Sequence, residues 1–289
     1  MHHRPYRSVL YIPASRARAL EKAKTLPVDA IIFDLEDAVA VDEKVKAREL
    51  LAETLAAGGY GARACIARIN GFDTEWGEAD FEALAPLAPD AILVPKVGSA
   101  DEMSALAARL DTHVGAARTT LWAMMETPLG ILNATAIAQA PRMGGMVMGT
   151  NDLAKDLGTR PRADREPLVT SLGLCLLAAR AAGIAIVDGV YNAFKDEDGL
   201  RTECEQGRDM GFDGKTLIHP AQIAIANEAF APSEEDIALA SRQIAAFDEA
   251  VAAGQGVAVV DGKIVENLHV ETARATLAKA AAIADLEVA

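Results

Sequence analysis

The sequence predicts a (β/α)8 barrel, a TIM barrel, with a C-terminal extension of helices and one hairpin. Short apolar runs alternate with stretches of helical periodicity over about the first 220 residues. The chain has 289 residues, and α/β barrels commonly reach this length as one unit. The rival fold, an open doubly wound sheet, usually has a glycine-rich turn after its first strand. Here residues 13–16 read Pro-Ala-Ser-Arg, which favours the barrel.

The predicted strands are near-continuous runs of Ile, Val, Leu, Met and Ala. Such runs are typical of parallel strands that are buried on both faces. In chain order they cover residues 8–13, 30–35, 64–69, 91–95, 121–125, 145–148, 184–187 and 214–218.

The predicted helices lie between these runs, where apolar residues recur at three- and four-residue intervals. They cover residues 16–24, 42–57, a short segment near 81–84, 100–110, 128–138, 167–182 and 198–210.

The pattern changes to helices after Pro220. Helices are predicted over residues 221–228, 234–252 and 269–282, and a hairpin over 254–266 turns at Asp261-Gly262. Since eight strands already complete a barrel, we expect a catalytic domain over residues 1–220 and an extension over 221–289. The extension would serve as a lid, an oligomer contact, or both.

The composition indicates a globular protein that binds neither nucleic acid nor membrane. Acidic residues exceed basic ones by 42 to 28, a net charge of −14, whereas polyanionic partners require a cationic face. The three cysteines form no C-x-x-C pair, which predicts neither a disulfide framework nor a zinc ribbon. Because there is no apolar run of about 20 residues and no signal core, we expect an unprocessed cytoplasmic protein. The adjacent His2 and His3 predict no metal site.

Two carboxylates mark the candidate site. Glu126 and Asp152 each follow a buried strand, and the carboxyl ends of barrel strands are where this fold has its active sites. Two acids without a nearby base suggest a hard divalent cation. The alternative is that each carboxylate caps the helix that follows it.

Further charged residues follow the second and third strands. Asp34, Glu36 and Asp37 fall within four residues and repel one another unless a cation lies among them; the alternative is a solvated loop. Arg68 ends an otherwise apolar strand and suits a clamp for a carboxylate or a developing oxyanion. A structural ion pair with one of the acids at 34–37 is the competing explanation for Arg68.

Other polar residues end the remaining strands. Lys96 ends the fourth strand and raises the possibility of a Schiff base, but the surplus of carboxylates favours a metal as the electron sink. Asp188 and Lys215 complete the ring of polar strand ends. His219 is interpreted as a structural residue rather than a metal ligand, because no second histidine is spaced to assist it.

Seven segments in the right order resemble the citrate lyase beta subunit and malyl-CoA lyase family, within the HpcH/HpaI aldolase superfamily. They are residues 9–14, 33–39, 68–71, 95–96, 126–130, 149–153 and 214–222.

The resemblance implies an assignment of the site residues. Glu126 and Asp152 would bind Mg²⁺, with Mn²⁺ as a substitute. Arg68 would bind the substrate and steady a thioester enolate, and Glu36 and Asp37 would hold metal-bound water. The family assembles as trimers or hexamers, with a C-terminal segment that reaches a neighbouring active site.

Two further cations are interpreted as substrate-binding residues. Lys96 would join Arg68 in the site. Arg16 follows the first strand and suits a CoA phosphate, although a solvated helix face explains it equally well.

The reaction implied by the resemblance is reversible carbon–carbon cleavage of a short β-hydroxyacyl-CoA, such as malyl-CoA, citramalyl-CoA or β-methylmalyl-CoA. In malyl-CoA lyases an aspartate of the C-terminal hairpin protonates the enolate, and the aligned residue here is Glu266. This departure leaves (3S)-malyl-CoA thioester hydrolysis open as the alternative activity. A citrate lyase beta-like homologue without activity is the third possibility. The hairpin itself favours free CoA thioesters as substrates.

Overall fold

Eight parallel strands close into a barrel, which confirms the predicted fold class. The computed structural model describes residues 4–288, so His2 and His3 lie outside the described part. The strands follow one another around the barrel in sequence order, and the last pairs with the first. They are β1 (Ser8–Pro13), β2 (Ala30–Asp34), β3 (Ala64–Arg68), β4 (Ala91–Val94), β5 (Thr120–Met125), β6 (Met143–Met148), β7 (Ala185–Asp188) and β8 (Gly214–Leu217).

The barrel interior is filled by apolar side chains from alternate positions of its strands. Val9, Ile32, Leu93 and others form one buried cluster around Trp122, whose indole meets the Tyr6 ring edge-on at 5.1 Å between centroids. A Cβ at Gly145 would overlap this indole, so glycine is needed where Trp122 crosses the interior. The dense packing fixes the strand ends that carry the polar residues.

Most predicted helices are present within a residue or two. Helices before the extension are α1 (Ala17–Ala23), α2 (Lys44–Ala57), α3 (Gly77–Leu84), α4 (Ala100–Leu110), α5 (Pro128–Leu132), α6 (Ala134–Ala138), α7 (Thr150–Leu157), α8 (Glu166–Ala182) and α9 (Glu197–Met210).

Four details of the helices differ from the predictions. The helix predicted near 81–84 begins earlier, at Gly77, and the one predicted over 269–282 extends to Val288. The helix expected over 128–138 breaks at Asn133, whose side-chain amide donates to the Gly98 carbonyl at 2.7 Å. Helix α7 was not predicted, because it is short and polar, with Thr150 and Leu153 as its buried residues.

The C-terminal extension consists of helices and the predicted hairpin. Its elements are α10 (Ile223–Phe230), α11 (Glu234–Ala252), β9 (Ala258–Val260), β10 (Lys263–Val265) and α12 (Asn267–Val288). The turn at Asp261 and Gly262 has φ values of 49° and 75°, as a two-residue type I′ turn requires. The strands pack Val265 into an apolar cluster with α11 and α12.

The described part of the chain divides into two compact units, one over Tyr6–Ala229 and one that comprises Arg4, Pro5 and the residues from Phe230 to Val288. The domain boundary predicted after residue 220 stays a prediction, since compactness does not show which residues fold independently. In the part of the chain from residue 4 to 288, no helix is both long and apolar enough to cross a bilayer.

Candidate active site

A pocket of about 280 Å³ lies at the carboxyl ends of the barrel strands. Four of the predicted site residues line it, namely Asp37, Arg68, Glu126 and Asp152. The other polar lining residues are Tyr11, Asp34, Thr150, Asn151 and Asn192.

Glu126 follows β5 and is 2% exposed. Its Oε1 accepts a hydrogen bond of 2.7 Å from the backbone N–H of Lys96, whose φ of 52° turns that N–H at the end of β4. A Cβ at Gly149 would overlap the Glu126 carboxylate. Glycine is therefore needed where the chain after β6 passes close to this carboxylate.

The surroundings of Glu126 disfavour its negative charge. Burial, followed by the nearby Glu36 carboxylate, raises the pKa of Glu126 to about 7. Asp152 adds to the rise, and the Lys96 N–H and Arg68 offset only part of it. A cation beside Glu126 would remove this penalty.

Neither carboxylate caps a helix, so the capping alternative is wrong. Helix α5 is capped by Thr127, whose hydroxyl accepts from the Gly130 N–H at 3.0 Å. Helix α7 begins after Gly149 without a side-chain cap, and the half-buried Asp152 lies in its first turn.

The donor set fits Mg²⁺. Within residues 4–288 there is no group of three or more His, Cys, Asp or Glu side chains able to hold a metal. Glu126 and Asp152 line the same pocket and would supply two hard oxygen ligands, leaving the remaining positions to water and substrate, as Mg²⁺ prefers.

Arg68 is paired with Asp34 at the end of β2 and with the acids that follow it, as the ion-pair explanation predicted. Its Nε and Nη2 donate to the two Asp34 carboxylate oxygens at 2.7 and 2.6 Å. Its Nη1 lies 2.7 Å from a Glu36 oxygen and 3.5 Å from Asp37. The Tyr11 ring packs against the guanidinium at 4.9 Å. Because Asp34 holds Nε and Nη2, a ligand would have to share Nη1 with Glu36 and Asp37.

Glu36 and Lys96 connect the two sides of the site. Burial raises the pKa of Glu36, although Arg68 opposes this. The exposed Lys96 ammonium lies 3.3 Å from Glu36. Partial burial opposes the charge of Lys96, but Glu36 outweighs it and raises the Lys96 pKa. A lysine kept protonated is a poor nucleophile, which disfavours the Schiff-base route.

Three predicted residues of the barrel unit, namely Arg16, Glu36 and Lys96, do not line the pocket, although Glu36 and Lys96 contact its neighbours. Arg16 is exposed at the start of α1. Glu266 belongs to the C-terminal unit, where it is exposed directly before α12 and its N–H donates to His269 Nδ1 at 3.0 Å. The roles predicted for both stay predictions.

Asp188 ends β7 as predicted, whereas Lys215 is the second residue of β8 and not a strand end. Both belong to a buried ion cluster and do not line the pocket. Asp188 accepts two bonds from Arg165 Nη1, and Lys215 donates to Asp188 at 3.1 Å and to Glu203 at 2.6 Å. Burial opposes the charge of Asp188, but Lys215 and Arg165 lower its pKa overall. The structural interpretation of His219 is confirmed, since its Nδ1 accepts from the Ala221 N–H.

The sequence did not show two important contributors to the site. Asp34 was noted only as one of three acids, yet its place as the last residue of β2 marks it by the same rule that identified Glu126. Tyr11 lies inside β1 and has no sequence signal.

The chain is similar to known proteins over most of its length. Residues 7–220 match the HpcH/HpaI aldolase/citrate lyase family. The chain is 67% identical over 280 residues to a (3S)-malyl-CoA thioesterase of Cereibacter sphaeroides, covering 97% of this chain and 96% of that protein. It is 34% identical over 283 residues to the citrate lyase subunit beta of Escherichia coli, covering 96% and 94%.

A solved structure shows the same architecture. The protein CitE of Mycobacterium tuberculosis, in complex with magnesium, acetoacetate and coenzyme A, superposes with a TM-score of 0.78 at 32% identity. The match covers 96% of this chain and 98% of that one.

We predict that the Glu126→Gln variant stabilises the metal-free protein at high pH. The pKa of Glu126 is raised from 4.5 to about 7 on folding, so its contribution is complete below pH 4.5 and is lost as pH rises to about 7. In EDTA, the variant should therefore match wild type near pH 4.5 and exceed it by about 2–3 kcal/mol above pH 7. Urea unfolding at several pH values measures this difference.

Added Mg²⁺ provides the control for this prediction. It should stabilise wild type at pH 8 and leave Glu126→Gln nearly unchanged, because a neutral amide is a poor ligand. A pH-independent difference between the two proteins in EDTA would contradict the raised pKa.

Proposed function

Because the chain belongs to the HpcH/HpaI aldolase/citrate lyase family, we propose that it is a thioesterase for a short hydroxydicarboxyl-CoA, with (3S)-malyl-CoA as its substrate. Enzymes of this family include lyases and hydrolases, and the chain is one of these enzymes. The observation that carries the proposal is 67% identity to a (3S)-malyl-CoA thioesterase over nearly the full length of both proteins.

The carboxylates at the end of β5 and the start of α7 would hold the cofactor. Glu126 and Asp152 would bind Mg²⁺ or Mn²⁺, which when present orients the carboxylate and hydroxyl of the substrate acyl group. Glu36 contacts Arg68 and Lys96, and Asp37 lies 3.5 Å from Arg68. Both carboxylates would accept hydrogen bonds from water bound to the cofactor.

Arg68 would stabilise the charge that develops on the thioester oxygen. Asp34 holds two of its three nitrogens, so Nη1 has little freedom to reorient during the reaction. A donor fixed in advance lowers the barrier because its orientation costs nothing at the moment of charge development. The neighbouring Lys96 ammonium adds positive charge to the same side of the site.

Hydrolysis requires a water molecule to attack the thioester carbonyl carbon. The carbon–sulfur bond then breaks, the acyl group leaves as a carboxylate, and the CoA thiolate takes a proton. Glu266 is the proposed acid–base residue, by its position in the C-terminal hairpin segment.

Carbon–carbon cleavage of the same ester is the second candidate. It is favoured by the 34% identity to a citrate lyase beta subunit, and the same Arg68 would stabilise the enolate oxygen. The products would be acetyl-CoA or propionyl-CoA and a 2-oxo acid. A homologue without activity is disfavoured because Arg68, Glu126 and Asp152 all line one pocket.

The remaining parts of the proposal concern assembly and location. We expect a homotrimer or hexamer in the cytoplasm, with the C-terminal segment of one subunit completing the site of another.

Incubation with (3S)-malyl-CoA and Mg²⁺ should release free CoA thiol and malate without glyoxylate. EDTA should abolish the reaction and Mg²⁺ or Mn²⁺ restore it. Glu126→Ala and Asp152→Ala should each be inactive but folded, whereas Asp156→Ala, on the exposed face of α7, should keep full activity. A thiol reagent and a glyoxylate assay are run in parallel. Glyoxylate equal to the ester consumed would establish the second candidate, and full activity without metal would refute both.

Arg68→Lys should lower turnover by at least about tenfold, because an ammonium keeps the charge but loses the planar fork that Asp34 orients. Steady-state kinetics measures this loss, and thermal unfolding checks the fold. Arg109→Lys is the matched control: this arginine pairs with Glu78 and Glu82 outside the pocket and should be replaceable. A normal rate in Arg68→Lys would reduce Arg68 to a structural ion pair.

Glu266→Gln should lower turnover by about 10²-fold or more while CoA-ester binding stays nearly intact, because the amide cannot transfer a proton. Glu266→Asp should shift the products from free thiol towards glyoxylate and acetyl-CoA. Glu271→Gln, a neighbouring exposed acid on α12, serves as the control. Unchanged turnover in Glu266→Gln would remove Glu266 from the mechanism.

Mixed oligomers test whether sites are shared. Glu266→Gln subunits mixed with Arg68→Ala subunits, each inactive alone, should recover part of the activity if one subunit completes the site of another. Absence of recovery in verified mixed oligomers would mean that each subunit uses its own Glu266.

A further inference from the structure

An exposed aromatic pair lies at the rim of the pocket. The Phe194 and His219 rings stack with centroids 4.6 Å apart and an interplanar angle of 29°. Phe194 is 37% exposed, and His219 is exposed as well. His219 directly follows Ile218, which lines the pocket, and Phe194 follows Asn192, which also lines it.

This pair is held in place by both of the loops that carry it. His219 Nδ1 accepts from the Ala221 N–H at 3.1 Å, which fixes the imidazole ring. On the other loop, the Phe194 N–H donates to the Asn192 carbonyl, and the Asn192 side-chain amide pairs reciprocally with that of Asn151. An aromatic surface that is fixed and exposed can bind a flat ring with little loss of entropy.

The size of the pocket requires a second surface for a CoA thioester. About 280 Å³ is less than the 300–1,000 Å³ typical of pockets for drug-sized ligands, and coenzyme A is larger than those ligands. The pocket therefore suits the acyl group and its metal, and the nucleotide must lie outside it. Ile218, which is 41% exposed, provides apolar surface between the pocket and the stacked rings.

The charge at this part of the rim suits phosphate. The exposed Lys195 places its ammonium 5.7 Å from the Phe194 ring centroid. Arg16 follows β1, which pairs with β8, the strand that precedes His219. Three exposed acids follow Lys195 in the chain. Asp196 is bound by the Tyr191 hydroxyl and the Gly199 N–H, and Glu197 and Asp198 lie in the first turn of α9, where the helix dipole favours their charge. On the β2 side, by contrast, the rim carries the exposed carboxylate of Asp37.

We propose that the Phe194–His219 pair binds the adenine ring of the CoA ester, with Lys195 and Arg16 contacting its phosphates. The inference rests on the proposed function, because it assumes a CoA-ester substrate. Aromatic rings stack on any base face, and a nearby ammonium or guanidinium attracts phosphate oxygens.

Calorimetric titration with coenzyme A and with adenosine 3′,5′-bisphosphate tests the proposal on the full chain. Phe194→Ala should weaken the binding of both ligands by about tenfold or more, as expected for the loss of one base–aromatic stack. Phe194→Tyr should restore binding to within about threefold, since it keeps the ring. Lys195→Ala should weaken binding and reduce its dependence on salt.

Kinetics with a truncated substrate distinguish a contact at the rim from an effect on catalysis in the pocket. Phe194→Ala should raise KM for malyl-CoA but leave the kinetics of malyl-pantetheine, which lacks the nucleotide, unchanged. Val114→Ala, a 93% exposed apolar residue between α4 and β5, is the control and should change neither.

The outcomes distinguish this inference from the proposed function. Equal affinity of wild type and Phe194→Ala for coenzyme A would overturn the adenine site, and so would an equal loss with malyl-pantetheine. Failure of wild type to bind adenosine 3′,5′-bisphosphate would also overturn it, even if malyl-pantetheine is hydrolysed. Tight, Phe194-dependent binding of coenzyme A would support the site even if malyl-CoA were not the substrate.

Discussion

The paired charges of Asp34 and Arg68 determine how the rest of the site is arranged. These residues end neighbouring strands and are direct partners in the register of β2 and β3. The bidentate contact between them therefore follows from the pairing of β2 with β3 and does not depend on a flexible loop. Arg68 pairs with both Asp34 and Glu36, and its charge offsets only part of the burial penalty on the Glu126 carboxylate. The ion pair thus explains both the fixed donor at Nη1 and the unbalanced negative charge that fits a metal.

A second buried cation supports the loop that follows β2. Lys44 donates from its ammonium to the carbonyls of Leu35 and Glu36 and to the side chain of Asn70, at 2.6–2.8 Å. Burial lowers the pKa of Lys44, although the surrounding acids oppose this. Because Lys44 donates to the backbone carbonyl of Glu36, it holds this residue beside Arg68 and leaves the Glu36 carboxylate to Arg68. Precision of this kind matters because a donor displaced by about 1 Å can cost two orders of magnitude in rate.

The sequence predicted those features that depend on local pattern and strand ends. Buried parallel strands are continuous apolar runs, so their positions could be predicted. Glu126 and Asp152 were then identified as the carboxylates that follow two of these strands. Features that depend on packing between helices and strands could not be predicted from the sequence. Arg68 was assigned either to a ligand or to an ion pair, whereas the structure shows that it lines the pocket while all three of its guanidinium nitrogens lie near the carboxylates of residues 34–37. The buried cluster of Asp188 and Lys215 depends on how α8 and α9 cover the barrel, and no spacing in the sequence encodes that contact.

Hydrolysis and carbon–carbon cleavage place the same demand on most of this site. Both develop negative charge on the thioester oxygen, so Arg68 would serve either reaction, and in the proposed function both begin from a substrate held by its carboxylate and hydroxyl. They differ in whether a water molecule reaches the carbonyl carbon or a proton leaves the hydroxyl. A preference of a hundredfold for one outcome corresponds to a difference of only about 3 kcal/mol between two barriers. The barrel residues would supply what the two reactions share. In the proposed function, the choice between the reactions would then depend on the residue that transfers the proton, for which Glu266 is the candidate.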